Sequence, residues 1–127
     1  MREAGVDVAT SARIAACIRD HAFSKGVVAA SLEGRIVQDA DRLDAIGAIG
    51  IARLFATTSE MRRPFYADVD PLCVARAPND KLWGVDHFFR KLLKIEAGLH
   101  TETARRLAVE RVAAMRAFLA QLEREIA

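Results

Sequence analysis

The run Gln38-Asp39-Ala40-Asp41-Arg42-Leu43-Asp44-Ala45-Ile46-Gly47-Ala48-Ile49-Gly50-Ile51-Ala52-Arg53 sets three aspartates directly before an apolar, glycine-punctuated stretch. Upstream, Ser31 is placed to cap a helix, and Leu32, Ile36, Ala40 and Leu43 recur at helical spacing as an apolar stripe. At about 100° per residue, Asp41 falls near the line of Val37, Asp44 and Ala48, while Asp39 and Arg42 share another side. Asp41 is therefore expected on or beside the packed face. A carboxylate there is costly unless it is paired or bound to a metal. The alternative is an acidic helix whose aspartates are solvated or paired with Arg35 and Arg42. Gly47 and Gly50 are expected to bend or divide the segment, since each costs about 1 kcal/mol relative to Ala inside a helix. Ile51 and Phe55 carry the helical pattern on to about Ala56.

Working outward, Thr10 or Ser11 can cap an earlier helix whose face is Ile14, Cys17, Ile18 and His21, ending at Lys25-Gly26. From Thr57 to Asp80 the periodicity disappears. This segment holds Pro64, Pro71, Pro78 and the pair Arg62-Arg63, and loops this long inside compact domains are often functional. Helical spacing returns at Val85, Phe88, Phe89, Leu92, Ile95 and Leu99. Thr101 then caps a last helix of about 39 Å at ~1.5 Å per residue. Its expected inner face is Ala104, Leu107, Ala108, Met115, Phe118, Leu119, Leu122 and Ile126. No β pattern, repeat or low-complexity tract interrupts the series. The class is all-α, as a single helical domain over residues 1–127.

Composition agrees. Of 127 residues, 52% are hydrophobic and 28% charged, a globular balance. A net charge of +2 is too small to argue for nucleic-acid binding by charge alone, and Arg105, Arg106 and Arg111 read as a solvated helix face. Cys17 and Cys73 stand far apart with no ligand-type spacing, which reads as two reduced thiols in a cytoplasmic protein. Met1-Arg2-Glu3-Ala4-Gly5 is followed by no apolar run of the signal-peptide kind. No stretch approaches the ~20 apolar residues of a membrane span, so no membrane partner is expected.

His21 stands on an apolar stripe, where a histidine is usually a hydrogen-bonded core residue. Two helices turning His21 and Asp41 inward would suit a divalent metal or phosphate chemistry instead. The segments Ile18-Arg19-Asp20-His21-Ala22-Phe23-Ser24 and Gln38 to Arg53 resemble one branch of the HD superfamily. So do Asp86-His87-Phe88-Phe89-Arg90-Lys91-Leu92-Leu93-Lys94 and Thr101-Glu102-Thr103-Ala104-Arg105-Arg106-Leu107-Ala108. The resemblance covers nearly the whole chain, in order, and implies an HD-domain-like helical fold lacking its first helices.

Members of this branch are similar to metal-dependent phosphohydrolases acting on nucleotides or other phosphate esters. The resemblance implies a divalent metal, Mn²⁺ or Mg²⁺, held by an early His, an adjacent His-Asp pair and a later Asp, which here is Asp41. It makes His21 the pocket histidine that meets substrate or metal-bound water, in the catalytic role. Lys25, Arg53, Lys91 and Lys94 become candidates for binding substrate phosphate. The chain departs from this pattern at its start. No histidine precedes His21, and no His is followed by Asp, since Asp20-His21 and Asp86-His87 run in the reverse order. The expectation is an N-terminally truncated member with impaired activity and little or no bound metal. His87 and His100 show no paired spacing that would replace the missing ligands. The alternative is a non-enzymatic helical remnant that self-associates or binds a partner. A homodimer through the helices from Ile14 to Phe55 is expected, because Ile14, Ile18, Val37, Ile46, Ile49 and Phe55 exceed what one layer covers.

Overall fold

The computed structural model describes residues 5–127, and of Phe23 the backbone alone. Met1-Arg2-Glu3-Ala4, where the signal-peptide reading begins, and the Phe23 side chain lie outside the described residues. The helices are α1 (Val8–Asp20), α2 (Leu32–Asp44), α3 (Gly47–Glu60), α4 (Asp86–Arg90) and α5 (Glu102–Ile126). Short 3₁₀ turns fill Phe23–Lys25, Leu92–Lys94 and Glu96–Gly98, and the described residues include no strand. The all-α class holds.

Each helix start has a local cause. Asp7 caps α1, its carboxylate accepting the Thr10 N–H at 3.0 Å, so the cap lies upstream of the expected Thr10 or Ser11. Ser31 caps α2 by accepting the Gly34 N–H, and Thr101 caps α5 by accepting the Ala104 N–H. The α2–α3 corner needs its glycines. Gly47 adopts φ +80°, and a Cβ on Gly50 would sit 2.2 Å from the Ala45 carbonyl oxygen.

The core is built on α5. Ile46, Leu54, Val85, Phe88, Leu92, Ile95 and Leu99 close over Ala104, Ala108, Val112, Met115 and Leu119. Phe55 meets Phe65 edge-on at 5.1 Å and Phe118 at 5.6 Å, and Phe118 stacks on Phe88 at 5.9 Å. The final helix thus follows its expected face, except that Val112 joins the core and Leu107 is exposed. Helix α3 runs to Glu60, one turn beyond the expected end. The expected helix from Val85 to Leu99 winds as α for only Asp86–Arg90 before turning 3₁₀, although its apolar positions are buried apart from Phe89, which is half-buried.

Helix α2 corrects the reading of its own stripe. Leu32, Ile36 and Ala40 are exposed, whereas Gly34, Gln38, Asp39 and Arg42 are buried. The buried face is polar because it serves as a hydrogen-bonding spine. Gln38 donates to the Asp20 and Val27 carbonyls at 2.7 and 2.6 Å and accepts the Ala29 N–H at 3.1 Å. That amide joins the end of α1, the following segment and α2. Helix α1 itself contributes no buried residue and packs on α2 from outside.

Candidate functional site

The polar face of α2 separates two aspartates. Asp39 is 3% exposed and accepts the His100 N–H, the Thr101 N–H and the Thr101 hydroxyl, each at 2.8 Å. Burial by itself would raise its pKa. The three donors together outweigh that and hold the carboxyl below its ordinary value. Asp41 is exposed, which corrects the expectation of a packed-face carboxylate. The spine face of α2, not the apolar stripe, turns inward, and Asp41 lies off that spine.

His100 sits between two spine residues. Its Nε2 lies 2.7 Å from Arg42 Nη1 and 2.8 Å from Gln38 Oε1. Burial and the Arg42 charge push its pKa below the ordinary value, against an opposing pull from Asp39. The ring is neutral near pH 7, and Nε2 can accept from Arg42, which has no acceptor to offer.

The other predicted site residues divide into two groups. His21 caps the end of α1 with Nδ1 at 2.6 Å from the Ile18 carbonyl, so this nitrogen carries the hydrogen and Nε2 is the ring's other face. Lys25 donates to the Arg19 carbonyl at 2.5 Å and so closes the same helix terminus. The Asp20–Gln38 bond fixes this end of α1 beside α2, one turn from Asp41.

Arg53 and Lys91 belong to a second place. They line a cleft of about 230 Å³ together with Arg63, Asp80, His87, Thr57 and Thr58, over a floor of Gly50, Leu54, Gly84 and Leu92. Lys94 is exposed and does not line it. Thus Asp41 lies on the exposed side of α2 and His21 and Lys25 at the end of α1, all outside the cleft, whereas Arg53 and Lys91 both line it.

Helix α3 supplies one cleft wall, since Gly50, Arg53, Leu54, Thr57 and Thr58 fall on successive turns of one face. The opposite wall is the long loop, which is rigidly built. Asp70 accepts the N–H groups of Val74, Ala75 and Arg76 at 2.8 to 3.0 Å. The Arg76 guanidinium forms a bidentate pair with fully buried Asp86 at 2.6 and 2.8 Å and lies over Trp83 at 4.6 Å. Asp86 also accepts the Asn79 N–H at 2.6 Å. Burial would raise the Asp86 pKa, but the Arg76 and Asn79 donors carry it below the ordinary value. Burial and the Asp86 charge push the neighbouring Cys73 thiol up to about 11, which keeps it protonated near pH 7. Gly84 then passes so close to α3 that a Cβ would lie 2.6 Å from Thr58 Oγ1.

Sequence reasoning missed Asp80, Thr57 and Thr58 as cleft residues. It noted Arg63 only as part of a basic pair in a loop of functional length, and His87 only as a substitute ligand. Proximity across the loop was the information lacking. Arg111 donates to the Leu43 carbonyl and Arg105 to the Leu99 carbonyl, so both serve the fold.

The described residues do not make the metal centre that the resemblance implies. Among them no three His, Cys, Asp or Glu side chains come together to hold an ion. Asp41 and His21 are two side chains offering three ligand atoms at most, and hard divalent cations take about six or more.

No protein-family model matches the chain. In sequence it is 44% identical over 96 residues to the Bacillus subtilis protein YpgQ, a match covering 76% of this chain and 41% of that protein. The crystal structure of B. subtilis YpgQ in complex with ADP matches with a TM-score of 0.76 at 36% identity, covering 95% of this chain and 55% of that one. An HD-superfamily hydrolase from Bacillus thuringiensis matches with a TM-score of 0.64 at 40% identity, over 75% of this chain and 46% of that one. The chain spans about half the length of these relatives. With the helical order and the aspartate-bearing corner of α2 and α3 already described, these matches establish that the chain belongs to the HD superfamily.

Proposed function

We propose that this chain is the phosphate-binding part of a phosphohydrolase acting on nucleotides or other phosphate esters, with the α3–loop cleft as the phosphate site. The observation that carries this reading is the lining of the cleft. Arg53, Arg63 and Lys91 line one small space with the Thr57 hydroxyl and a histidine, against the single carboxylate of Asp80. Phosphate oxygens take charge-assisted hydrogen bonds from such groups. At about 230 Å³ the cleft is smaller than the ~300–1,000 Å³ pockets that enclose drug-sized ligands, so it suits one or two phosphates rather than a whole nucleotide. Arg53 is paired with Asp44 at 2.5 Å, and both partners are 57% exposed. Such exposed pairs contribute ~0–1 kcal/mol, so the guanidinium exchanges partners at small cost. The ADP bound by YpgQ agrees in ligand class.

Asp41 is the carboxylate this chain offers to a divalent cation, Mn²⁺ or Mg²⁺, with His21 as the candidate second side chain. The remaining donors have to come from beyond the described residues. The chain alone therefore binds Mn²⁺ weakly and hydrolyses nucleoside triphosphates negligibly. Calorimetry checks both halves of the reading. ADP should bind and adenosine should not, with Arg53→Ala and Arg63→Ala each weakening ADP about tenfold. Adenosine binding as tightly as ADP would contradict the cleft assignment. Micromolar Mn²⁺ binding that disappears in Asp41→Ala would contradict the metal half. A cytoplasmic location belongs to this reading, supported by the two free thiols. Among the described residues no helix is long and apolar enough to cross a membrane.

A second reading concerns association. Ile14, Ile18 and Val37 line an apolar groove of about 370 Å³ between α1 and α2, and all three are exposed. Ile46 and Phe55, expected in this patch, pack into or against the core instead. The long loop places Phe65 on Phe55 at the α3–α5 side, so it does not cover the groove. Arg13 and Glu33 pair with each other at the rim of the groove and leave its apolar floor uncovered, and a two-fold arrangement lets one such patch cover its own copy. The proposed occupant is a second copy of this chain. Light scattering should give twice the chain mass and Ile18→Glu the single mass; a monomer at micromolar concentration would remove this reading.

A further inference from the structure

Two titratable side chains of the cleft, His87 and Asp80, are in direct contact. His87 Nδ1 lies 2.8 Å from Asp80 Oδ2, with both side chains about one-quarter to one-third exposed and both lining the cleft. A carboxylate only accepts, so Nδ1 carries the hydrogen and Nε2 is the nitrogen left for the cleft.

Both members are held firmly. His87 follows buried Asp86 at the start of α4, where Arg76 and Asn79 anchor the carboxylate, and the His87 N–H donates to the Gly84 carbonyl at 3.0 Å. Arg63 donates to the Asp80 carbonyl, and Arg90 Nε approaches Asp80 Oδ1 at 3.7 Å.

We propose that His87, positioned by Asp80, is a proton-coupled phosphate-binding residue that takes up a proton on Nε2 as a terminal phosphate enters the cleft. The inference rests on the phosphate reading of the cleft and names its ligand class more narrowly. That class is a terminal phosphate able to carry two negative charges, as in a phosphomonoester or nucleoside diphosphate, rather than a phosphodiester. The charge balance explains why. Arg53, Arg63, Lys91 and Asp80 line the cleft with His87, and Arg90 approaches Asp80. An entering dianion places two negative charges beside the ring, and the proton comes from solvent onto Nε2. The imidazolium then donates through Nε2–H to a phosphate oxygen while Nδ1–H stays on Asp80. A phosphodiester brings one negative charge and drives the uptake less. Histidine suits the task because its charge changes between about pH 5 and 8.

The experiment is calorimetric titration of the intact chain with ADP at pH 7 in buffers of different ionisation enthalpy, repeated from pH 6 to 8. Proton uptake should accompany binding in the native protein, and affinity should fall about tenfold from pH 6 to pH 8. In His87→Gln, whose amide retains a donor toward Asp80, uptake should disappear, leaving only the proton release that accompanies binding of ADP as its fully ionised form, and affinity should no longer fall as pH rises. Asp80→Asn should reduce uptake in the same direction. Thermal unfolding confirms that each variant is folded. Uptake unchanged in both variants would overturn the role of His87 while leaving the cleft intact. No ADP binding by the native chain at any pH would overturn the cleft reading, and this inference with it.

Discussion

Asp39 Oδ2 takes both the N–H and the hydroxyl of Thr101 at 2.8 Å, so one carboxylate on α2 seats the residue that caps the longest helix. The bond spans 62 positions and ties the first half of the chain to the second.

Asp39→Ala should destabilise the protein by about 3 kcal/mol, because it leaves the His100 and Thr101 N–H groups buried without their acceptor. Asp41→Ala, two positions away and exposed, should change stability by no more than about 0.5 kcal/mol. Urea unfolding compares the two, and equal losses would contradict this assignment of the buried aspartate.

The same pair shows what was legible in the sequence. Helical spacing and the caps Ser31 and Thr101 placed the main helices, and the apolar periodicity from Val85 onward placed half the core. The buried face of α2 was not legible, because burial was read from apolar residues while this helix buries Gln38, Asp39 and Arg42. Those polar groups are tolerated only through partners on distant segments, which spacing within one helix does not reveal. The cleft was half legible. Arg53 and Lys91 were singled out by the family resemblance. Arg63, Asp80 and His87 join them because the loop folds onto α3 at Gly84, a contact with no local sequence signal.

Stability should fall on acidification in two windows. His100 has a folded pKa below its ordinary 6.5, so its contribution is complete above about pH 6.5 and is lost as pH falls through the lower folded value. Asp39 and Asp86 have folded pKa values below their ordinary 3.8, so theirs persists above that and is lost at still lower pH. Thermal unfolding from pH 7.5 to 3 should show both declines. His100→Gln, which keeps an acceptor near Arg42, should flatten the upper one; an unchanged upper slope would exonerate His100.

Gly84→Ala should cost about 1–3 kcal/mol through overpacking. Its Cβ would lie 2.6 Å from Thr58 Oγ1, and that hydroxyl is committed to the Leu54 carbonyl at 2.8 Å. Thr58→Ala in the same chain should recover part of the loss, since it removes the atoms that clash. Denaturant unfolding of the single and double variants tests this, and additive losses would refute the contact.

The central claim, that the cleft between α3 and the long loop binds phosphate, is tested most directly by titrating ¹⁵N-labelled protein with pyrophosphate and following amide chemical shifts. Saturable shifts should gather at Thr57, Thr58, Gly84, His87 and Lys91, sparing Ile14, Ile18 and Val37 in the apolar groove, and should be lost in the Arg53→Ala, Arg63→Ala double variant. Shifts scattered over the surface, or identical in the double variant, would contradict the account.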